Sequence, residues 1–138
     1  MTASLPRRGG DVIAIDTNII VRILAGDDPE QSPRARALVD ANQVFVSTTV
    51  FLEAEWVLRG VYRMSSTVVV AKLRAFAGLP GVTLEDPARV MQALDWCDHG
   101  LGFADALHLA SAVGCDGFFT FDRGLAKLAP VGVVVRAP

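Results

Sequence analysis

The chain has 138 residues, of which 51% are hydrophobic and 20% charged, and its formal net charge is −2 at pH 7. This length suits one domain with a sizeable core. The charge balance excludes a protein that binds nucleic acid through bulk positive charge, and no apolar run approaches the ~18 residues of a membrane span. A nucleic-acid ligand must therefore be held locally, by single arginines or by a bound cation.

The N-terminal segment and the cysteines indicate the cellular compartment in which the protein is expected. Residues 1–10, rich in Pro, Gly, Ser and Arg, predict a flexible extension ahead of a single domain at residues 11–138. Two arginines precede an apolar stretch, as in a signal peptide, but acidic residues interrupt that stretch. Cys97 and Cys115 lack the spacing of a metal site and fit small buried thiols in a reducing compartment. We therefore expect a cytoplasmic protein that contacts no membrane.

The first strand and helix define a candidate site. The apolar residues 12–15 predict a strand buried on both faces. Asp16 ends this run, Thr17 and Asn18 suit a helix cap, and apolar residues then return at helical spacing. In open α/β sheets, ligands bind in the crevice at the carboxyl ends of the strands. Asp16 is thus the first candidate site residue.

The rest of the chain alternates between helical and strand patterns. Helices are predicted at residues 29–42, 49–61, 66–77, 87–97, 103–113 and 123–128. Further strands are predicted at residues 44–46, 82–84, 117–121 and 131–135. Such alternation indicates βαβ units and an α/β fold, in which a parallel sheet has helices on both faces.

Four acidic residues along the chain either follow a predicted strand or lie in a predicted helix. Asp122 follows the strand at residues 117–121, as Asp16 follows the first strand. One acid at a strand end is commonly a helix cap, whereas two at the same sheet edge favour a site. Glu53, in the first turns of its helix, either complements the helix dipole or faces that site. Asp105 has almost only apolar neighbours and no Lys or Arg within a helical turn, so it needs a distant partner or a metal ion.

A metal ion would explain acids that converge. Several carboxylates at one spot cannot all stay ionised without a cation, since like charges raise one another's pKa. Oxygen ligands alone suit Mg²⁺ or Mn²⁺ rather than zinc. Because such ions position and activate water in phosphodiester hydrolysis, the pattern indicates a metal-assisted hydrolase.

Segments along nearly the whole chain carry a resemblance to a known family. They are residues 15–22 (IDTNIIVR), 27–30 (DDPE), 48–58 (TTVFLEAEWVL), 103–110 (FADALHLA) and 120–122 (TFD). In order and spacing they resemble PIN-domain proteins, and specifically the VapC-type toxins of bacterial toxin–antitoxin modules. The resemblance implies a three-layer α/β/α fold, whose central, mostly parallel sheet of four to five strands is flanked by helices.

The resemblance also implies a Mg²⁺- or Mn²⁺-dependent endoribonuclease. The family's acidic quartet falls on the positions already selected: Asp16, Glu53, Asp105 and Asp122. Many relatives have a further acid two or three residues before the third one, and Gly102 and Phe103 occupy that region here. Because the quartet is complete, this departure bears on metal affinity rather than on activity.

Partners are implied in the same way. The substrate is RNA, and a VapB-type antitoxin lays its C-terminal segment in the active-site groove and blocks it. Helices 49–61 and 66–77 are candidate surfaces for the antitoxin and for a homodimer. The second of them is apolar most of the way round, which is typical of a helix that is buried or lies in an interface.

Polar residues beside the quartet have two interpretations each. Thr17 and Asn18 either cap the first helix or hold a water or a phosphate at the site. Thr120, two residues before Asp122 on a strand, points the same way and either orients that carboxylate or bonds local backbone. Arg123 either meets an RNA phosphate or is a solvated charge.

Three alternatives compete with this hypothesis. A metal-independent ribonuclease would use His99 and His108 as acid and base and leave cyclic or 3′-phosphate ends. An aspartyl-phosphate enzyme needs a lysine near its site, and Lys72 and Lys127, the lysines of the chain, lie in helices without such a motif. A PIN-like scaffold that binds RNA or protein without catalysis would be expected to lose an acid of the quartet.

Overall fold

The computed structural model describes residues 12–138, so the extension predicted at residues 1–10 lies outside the described residues. The described residues divide into two compact units, of which the first ends at Pro87 and the second comprises Ala88–Pro138. In the described part of the chain, every helix is too short or too polar to cross a membrane.

The first unit alternates strands with pairs of helices. Its elements in chain order are β1 (Val12–Ala14), α1 (Thr17–Ala25), α2 (Gln31–Ala41), β2 (Gln43–Val46), α3 (Thr48–Gly60), α4 (Ser66–Ala77) and β3 (Val82–Leu84). The strands are parallel in the order β1-β2-β3, with Val12 opposite Gln43 and Val44 opposite Val82. Parallel neighbours need a crossover connection, and each pair of helices supplies one.

The core of this unit consists of the central strand and the inner faces of the helices. Helix α1 packs against α2 and α3, and α3 packs against α4. The largest fully buried side chains are Ile20, Val44, Val46, Phe51, Leu58, Val69, Leu73 and Phe76. Burial of this apolar surface fixes α3, and with it the outward face that carries Glu53.

Helix α1 is bounded by a cap at each end. Asp16 has an extended backbone, with φ −87° and ψ 168°, and its side chain accepts a hydrogen bond from the first helical N–H. Gly26 ends the helix in the left-handed region at φ 65°, where its N–H donates to the Arg22 carbonyl at 3.1 Å. Because L side chains rarely adopt this conformation, glycine suits the position.

The second unit contains a two-stranded sheet. The elements are α5 (Pro87–Cys97), which leads into it, α6 (Phe103–Ser111), β4 (Phe118–Phe119), α7 (Arg123–Leu128) and β5 (Val135–Arg136). Strands β4 and β5 are parallel, with Phe118 opposite Val135. Helices α5 and α6 bury apolar faces that include Val90, Leu94 and Leu109.

The predicted α/β class is confirmed, since parallel strands alternate with helices that flank them. The strands are divided between a three-stranded and a two-stranded sheet, whereas the sequence predicts one central sheet. Burial on both faces is wrong for β1, because Ala14 is exposed, and Phe119 of β4 is exposed as well. Each of these strands has one described neighbour, and an apolar run does not distinguish such a strand from a central one. Strand β2, paired on both edges, does bury Val44 and Val46.

Candidate functional site

Asp16 lies just beyond the carboxyl end of β1, as the sequence predicts. It is exposed, although Ile15 before it is buried. Its Oδ1 accepts a hydrogen bond from the Thr17 N–H at 2.8 Å, which holds the carboxylate at the start of α1. A negative charge is favourable there, because the N-terminus of a helix carries partial positive charge.

Glu53 reaches the same place from α3. Ser47 caps that helix, Phe51 is buried in the core, and Glu53 lies on the exposed side. The Thr17 hydroxyl donates to Glu53 Oε1 at 2.5 Å, and Thr17 is only 7% exposed. A buried hydroxyl therefore fixes the Glu53 carboxylate against the start of α1, next to Asp16.

These side chains line one open groove in the first unit, which we call the acidic groove. Its volume is about 420 Å³, within the range of small-ligand sites. Its polar lining residues are Asp16, Thr17, Asn18, Arg22 and Glu53. Its apolar and aromatic lining residues are Val21, Val57, Val61 and Tyr62. The groove thus combines carboxylate oxygens with apolar and aromatic side chains.

Arg22 is held at the edge of the acidic groove by two hydrogen bonds. Its Nε donates to Gln31 Oε1 at 2.6 Å, and its Nη1 donates to the Tyr62 hydroxyl at 2.9 Å. The sequence pattern does not identify Tyr62, which directly follows the helix predicted at residues 49–61. No local signal could have found it, because the arginine that binds it lies 40 residues earlier in the chain.

In the second unit, Asp105 lies in the first turn of α6. It is partly buried, and Gly102 before the helix supplies no capping side chain. The carboxylate is well placed to complement the helix dipole. His99 and His108, the candidates for a metal-independent mechanism, are exposed residues of this unit.

Asp122 caps the short helix α7, where its Oδ1 accepts the Leu125 N–H at 3.1 Å. A Cβ atom at Gly124 would lie 3.2 Å from this oxygen, so glycine leaves the carboxylate room. The Asp122 N–H donates to Thr120 Oγ1 at 3.0 Å. Thr120 therefore braces the backbone of the turn, and Arg123 next to it is exposed.

The structure joins Asp16 with Glu53 in the first unit and places Asp105 and Asp122 at helix starts in the second. Within residues 12–138, no group of three or more His, Cys, Asp or Glu side chains could hold a metal ion. A pair of carboxylates still suits Mg²⁺, which commonly binds through one or two carboxylates and keeps several waters. Asp16 and Glu53 are suited to hold such an ion, and the Asn18 side chain lies in the same groove.

Comparison with known proteins gives a family match. A model of the PIN domain matches residues 13–130, a range that includes all members of the predicted quartet. Among curated proteins, none matches this sequence significantly.

Two solved structures are similar over most of the chain. VapC20 of Mycobacterium tuberculosis, a Sarcin-Ricin loop cleaving toxin, has 21% sequence identity and a TM-score of 0.41, and the match covers 90% of this chain and 98% of that chain. VapBC2 from Rickettsia felis, bound to a DNA fragment from their promoter, has 15% identity and a TM-score of 0.37, with coverage of 91% and 98%.

Proposed function

Because this chain belongs to the PIN-domain family, whose members are generally nucleases, we propose that it is a divalent-metal-dependent endoribonuclease. We further propose that it is the toxin of a VapBC-type toxin–antitoxin module, an assignment supported by the resemblance of its motifs to VapC-type toxins. The observation that carries the proposal is the acidic groove, in which Thr17 bonds both Asp16 and Glu53.

The proposed site uses an ion and the side chains that hold it. The ligands of Mg²⁺ or Mn²⁺ would be Asp16 and Glu53, which line the acidic groove. Asp105 and Asp122, the other members of the predicted quartet, are proposed on the family resemblance alone. When bound, such an ion offsets charge on a phosphodiester and activates water for in-line attack. The Thr17 hydroxyl keeps Glu53 oriented before ion and RNA arrive, as partners of metal ligands generally do. The Asn18 amide, at the edge of the same groove, donates to a phosphate oxygen.

The proposed partners are an RNA substrate, a VapB-type antitoxin and a second copy of the chain in a homodimer. The antitoxin blocks the acidic groove with its C-terminal segment. Trp56 on α3 is 57% exposed, and Val61 and Val68 nearby in the chain are exposed as well. Large exposed apolar side chains support an interface on α3 and α4. In this proposal the toxin acts on RNA in the cytoplasm.

A catalytically silent PIN-like scaffold that binds RNA or protein is the second candidate. It is favoured by the absence, within residues 12–138, of any group of three or more side chains able to hold a metal ion. Such a scaffold would bind RNA and would not cleave it with any divalent metal ion.

Cleavage of a pool of structured RNAs by the purified protein, freed of antitoxin, tests the nuclease. We expect cleavage in Mg²⁺ or Mn²⁺, none in EDTA, and products with 3′-hydroxyl ends. Asp16→Asn should abolish cleavage without disturbing the fold, because asparagine also caps helices. His108→Gln is the control and should cleave like the wild type.

Three results would contradict the metal mechanism: cleavage in EDTA, cleavage by Asp16→Asn, or cyclic and 3′-phosphate ends. The last result together with an inactive His108→Gln would favour the histidine mechanism. RNA binding without cleavage under all conditions would favour the silent scaffold.

A further inference from the structure

A second groove lies beside the acidic groove, between the packed helices α1 and α2 of the first unit. Its volume is about 330 Å³, and its polar lining comprises Arg22, Arg34 and the amides of Asn18 and Gln31. Asn18 and Arg22 also line the acidic groove. The two grooves therefore share an edge, and we call the second one the arginine groove.

The arginine groove is opposite in charge to its neighbour. Its lining contains two arginines, and none of the described residues that line it is Asp or Glu. Guanidinium groups present N–H donors in a planar fork that matches the oxygens of a phosphate. Amide N–H groups beside them add further donors. The chemistry of the lining therefore fits a phosphate group.

Arg22 is held in place before any ligand binds. The acceptors of its side-chain hydrogen bonds, Gln31 Oε1 and the Tyr62 hydroxyl, are neutral. These bonds orient the guanidinium through neutral acceptors and leave N–H donors for a ligand, although the Asp28 carboxylate also interacts electrostatically with Arg22. The Arg22 carbonyl also accepts the Ser32 hydroxyl at 2.6 Å, which ties α1 to α2. The junction of the two grooves is thus a fixed positive charge.

Arg34 is held only loosely. Its Nη1 lies 3.7 Å from Glu30 Oε1, and the two side chains are 76% and 82% exposed. An exposed ion pair of this kind contributes little free energy. A phosphate can therefore replace Glu30 as the partner of Arg34 at small cost.

We propose that the arginine groove binds a backbone phosphate of single-stranded RNA, on the segment that continues from the acidic groove. The identity of the ligand rests on the proposed nuclease function. Continuity carries the inference: a strand whose phosphodiester lies at Asp16 and Glu53 passes Asn18 and Arg22 at the shared edge and then reaches Arg34.

Binding of a short, fluorescently labelled single-stranded RNA of mixed sequence tests this proposal. Fluorescence anisotropy is measured at several salt concentrations, in an Asp16→Asn background that prevents cleavage. Arg34→Gln should weaken binding several-fold and reduce the slope of log Kd against log salt by about 0.7, the contribution of one phosphate contact to a single strand. Arg36→Gln is the matched control, because Arg36 lies on the same helix, is exposed and is not part of the groove lining. It should leave affinity and slope unchanged.

The outcomes separate this proposal from the nuclease itself. The arginine groove is not an RNA site if Arg34→Gln keeps the affinity and the salt slope of the parent protein. The same conclusion holds if Arg36→Gln loses as much affinity for RNA as Arg34→Gln does. In either case, metal-dependent cleavage by the wild type would still support the proposed nuclease. If millimolar inorganic phosphate displaces the RNA, the groove is a small-anion site and the proposal fails. If the parent protein binds no RNA and the wild type cleaves none, both proposals fail.

Discussion

Thr17 holds both carboxylates of the acidic groove with two different atoms. Its N–H donates to Asp16 Oδ1 and its hydroxyl donates to Glu53 Oε1. The sequence predicts Thr17 either as a helix cap or as a neighbour of the site. In the structure the cap is Asp16, and Thr17 is the first residue of α1. Its hydroxyl is thereby available to the neighbouring helix.

Thr17→Val tests this positioning, because valine keeps the shape of the side chain and removes the hydroxyl. We expect cleavage rate or metal affinity to fall about 10- to 100-fold, the range found when partners of metal ligands are removed. Thr17→Ser keeps the hydroxyl and should stay within a few-fold of the wild type. Initial cleavage rates over a series of Mn²⁺ concentrations measure the difference, and equal rates for the two variants would exclude the role of the hydroxyl.

Asp16 is expected to have two roles. One carboxylate oxygen caps α1 and stabilises the fold, and the negative charge would hold a metal ion. Asp16→Ala removes the helix cap and should lower the free energy of unfolding by about 1 kcal/mol. Asp16→Asn keeps an oxygen that can accept the Thr17 N–H and should unfold close to the wild type. Urea unfolding of the three proteins compares them. Identical midpoints for the two variants would mean that the cap contributes nothing measurable.

At the scale of elements, helix α2 begins later than the sequence predicts. The sequence predicts Pro29 in the first turn of this helix, and this is wrong, because Pro29 lies in a turn and α2 begins at Gln31. The Asp28 carboxylate builds that turn by accepting the N–H groups of Gln31 at 2.7 Å and Glu30 at 3.0 Å. These hydrogen bonds, that from Gln31 above all, hold the pKa of Asp28 below its ordinary value.

This lowered pKa predicts an acid dependence of stability. The contribution of Asp28 is present above the pKa of an aspartate in the unfolded chain, about 4, and is lost as the pH falls through the lower folded-state pKa. Asp28→Asn removes this titration, so the variant should lose less stability than the wild type between about pH 4 and pH 2. Thermal unfolding across this range measures it, and parallel profiles for the two proteins would refute the effect.

Helix α3 shows what periodicity can predict. Its apolar residues recur at helical spacing, and the predicted range of 49–61 differs by one residue at each end from the observed Thr48–Gly60. Strands β1 and β4 show the limit, because the same apolar composition occurs in strands with one neighbour and with two. Pattern therefore predicts the type of an element better than its burial.

At the scale of the whole molecule, the alternation of strands and helices predicts the class of fold. It does not predict contacts between residues that are distant in the sequence. Asp16 and Asp122 were found from their positions after strands, which is local information. The bond between Thr17 and Glu53 joins residues 36 apart, and that between Arg22 and Tyr62 joins residues 40 apart. Such pairs depend on how packed helices present a few side chains, and spacing along one helix carries no information about them.

The net charge of −2 conceals a local separation of charge. Two carboxylates line the acidic groove, and two arginines line the groove beside it. The composition provides no bulk positive charge for nucleic-acid binding, but it is compatible with a ligand that single arginines and a bound cation hold. The proposed RNA path uses both of these.

Calorimetric titration of Mn²⁺ into the purified protein tests the central claim, that Asp16 and Glu53 form a metal site, without requiring the identity of the RNA. We expect saturable binding by the wild type and by Asp40→Asn, which changes an exposed acid on α2. Asp16→Asn and Glu53→Gln should each lose most of the affinity. Binding by both of these variants with the affinity of the wild type would contradict the claim.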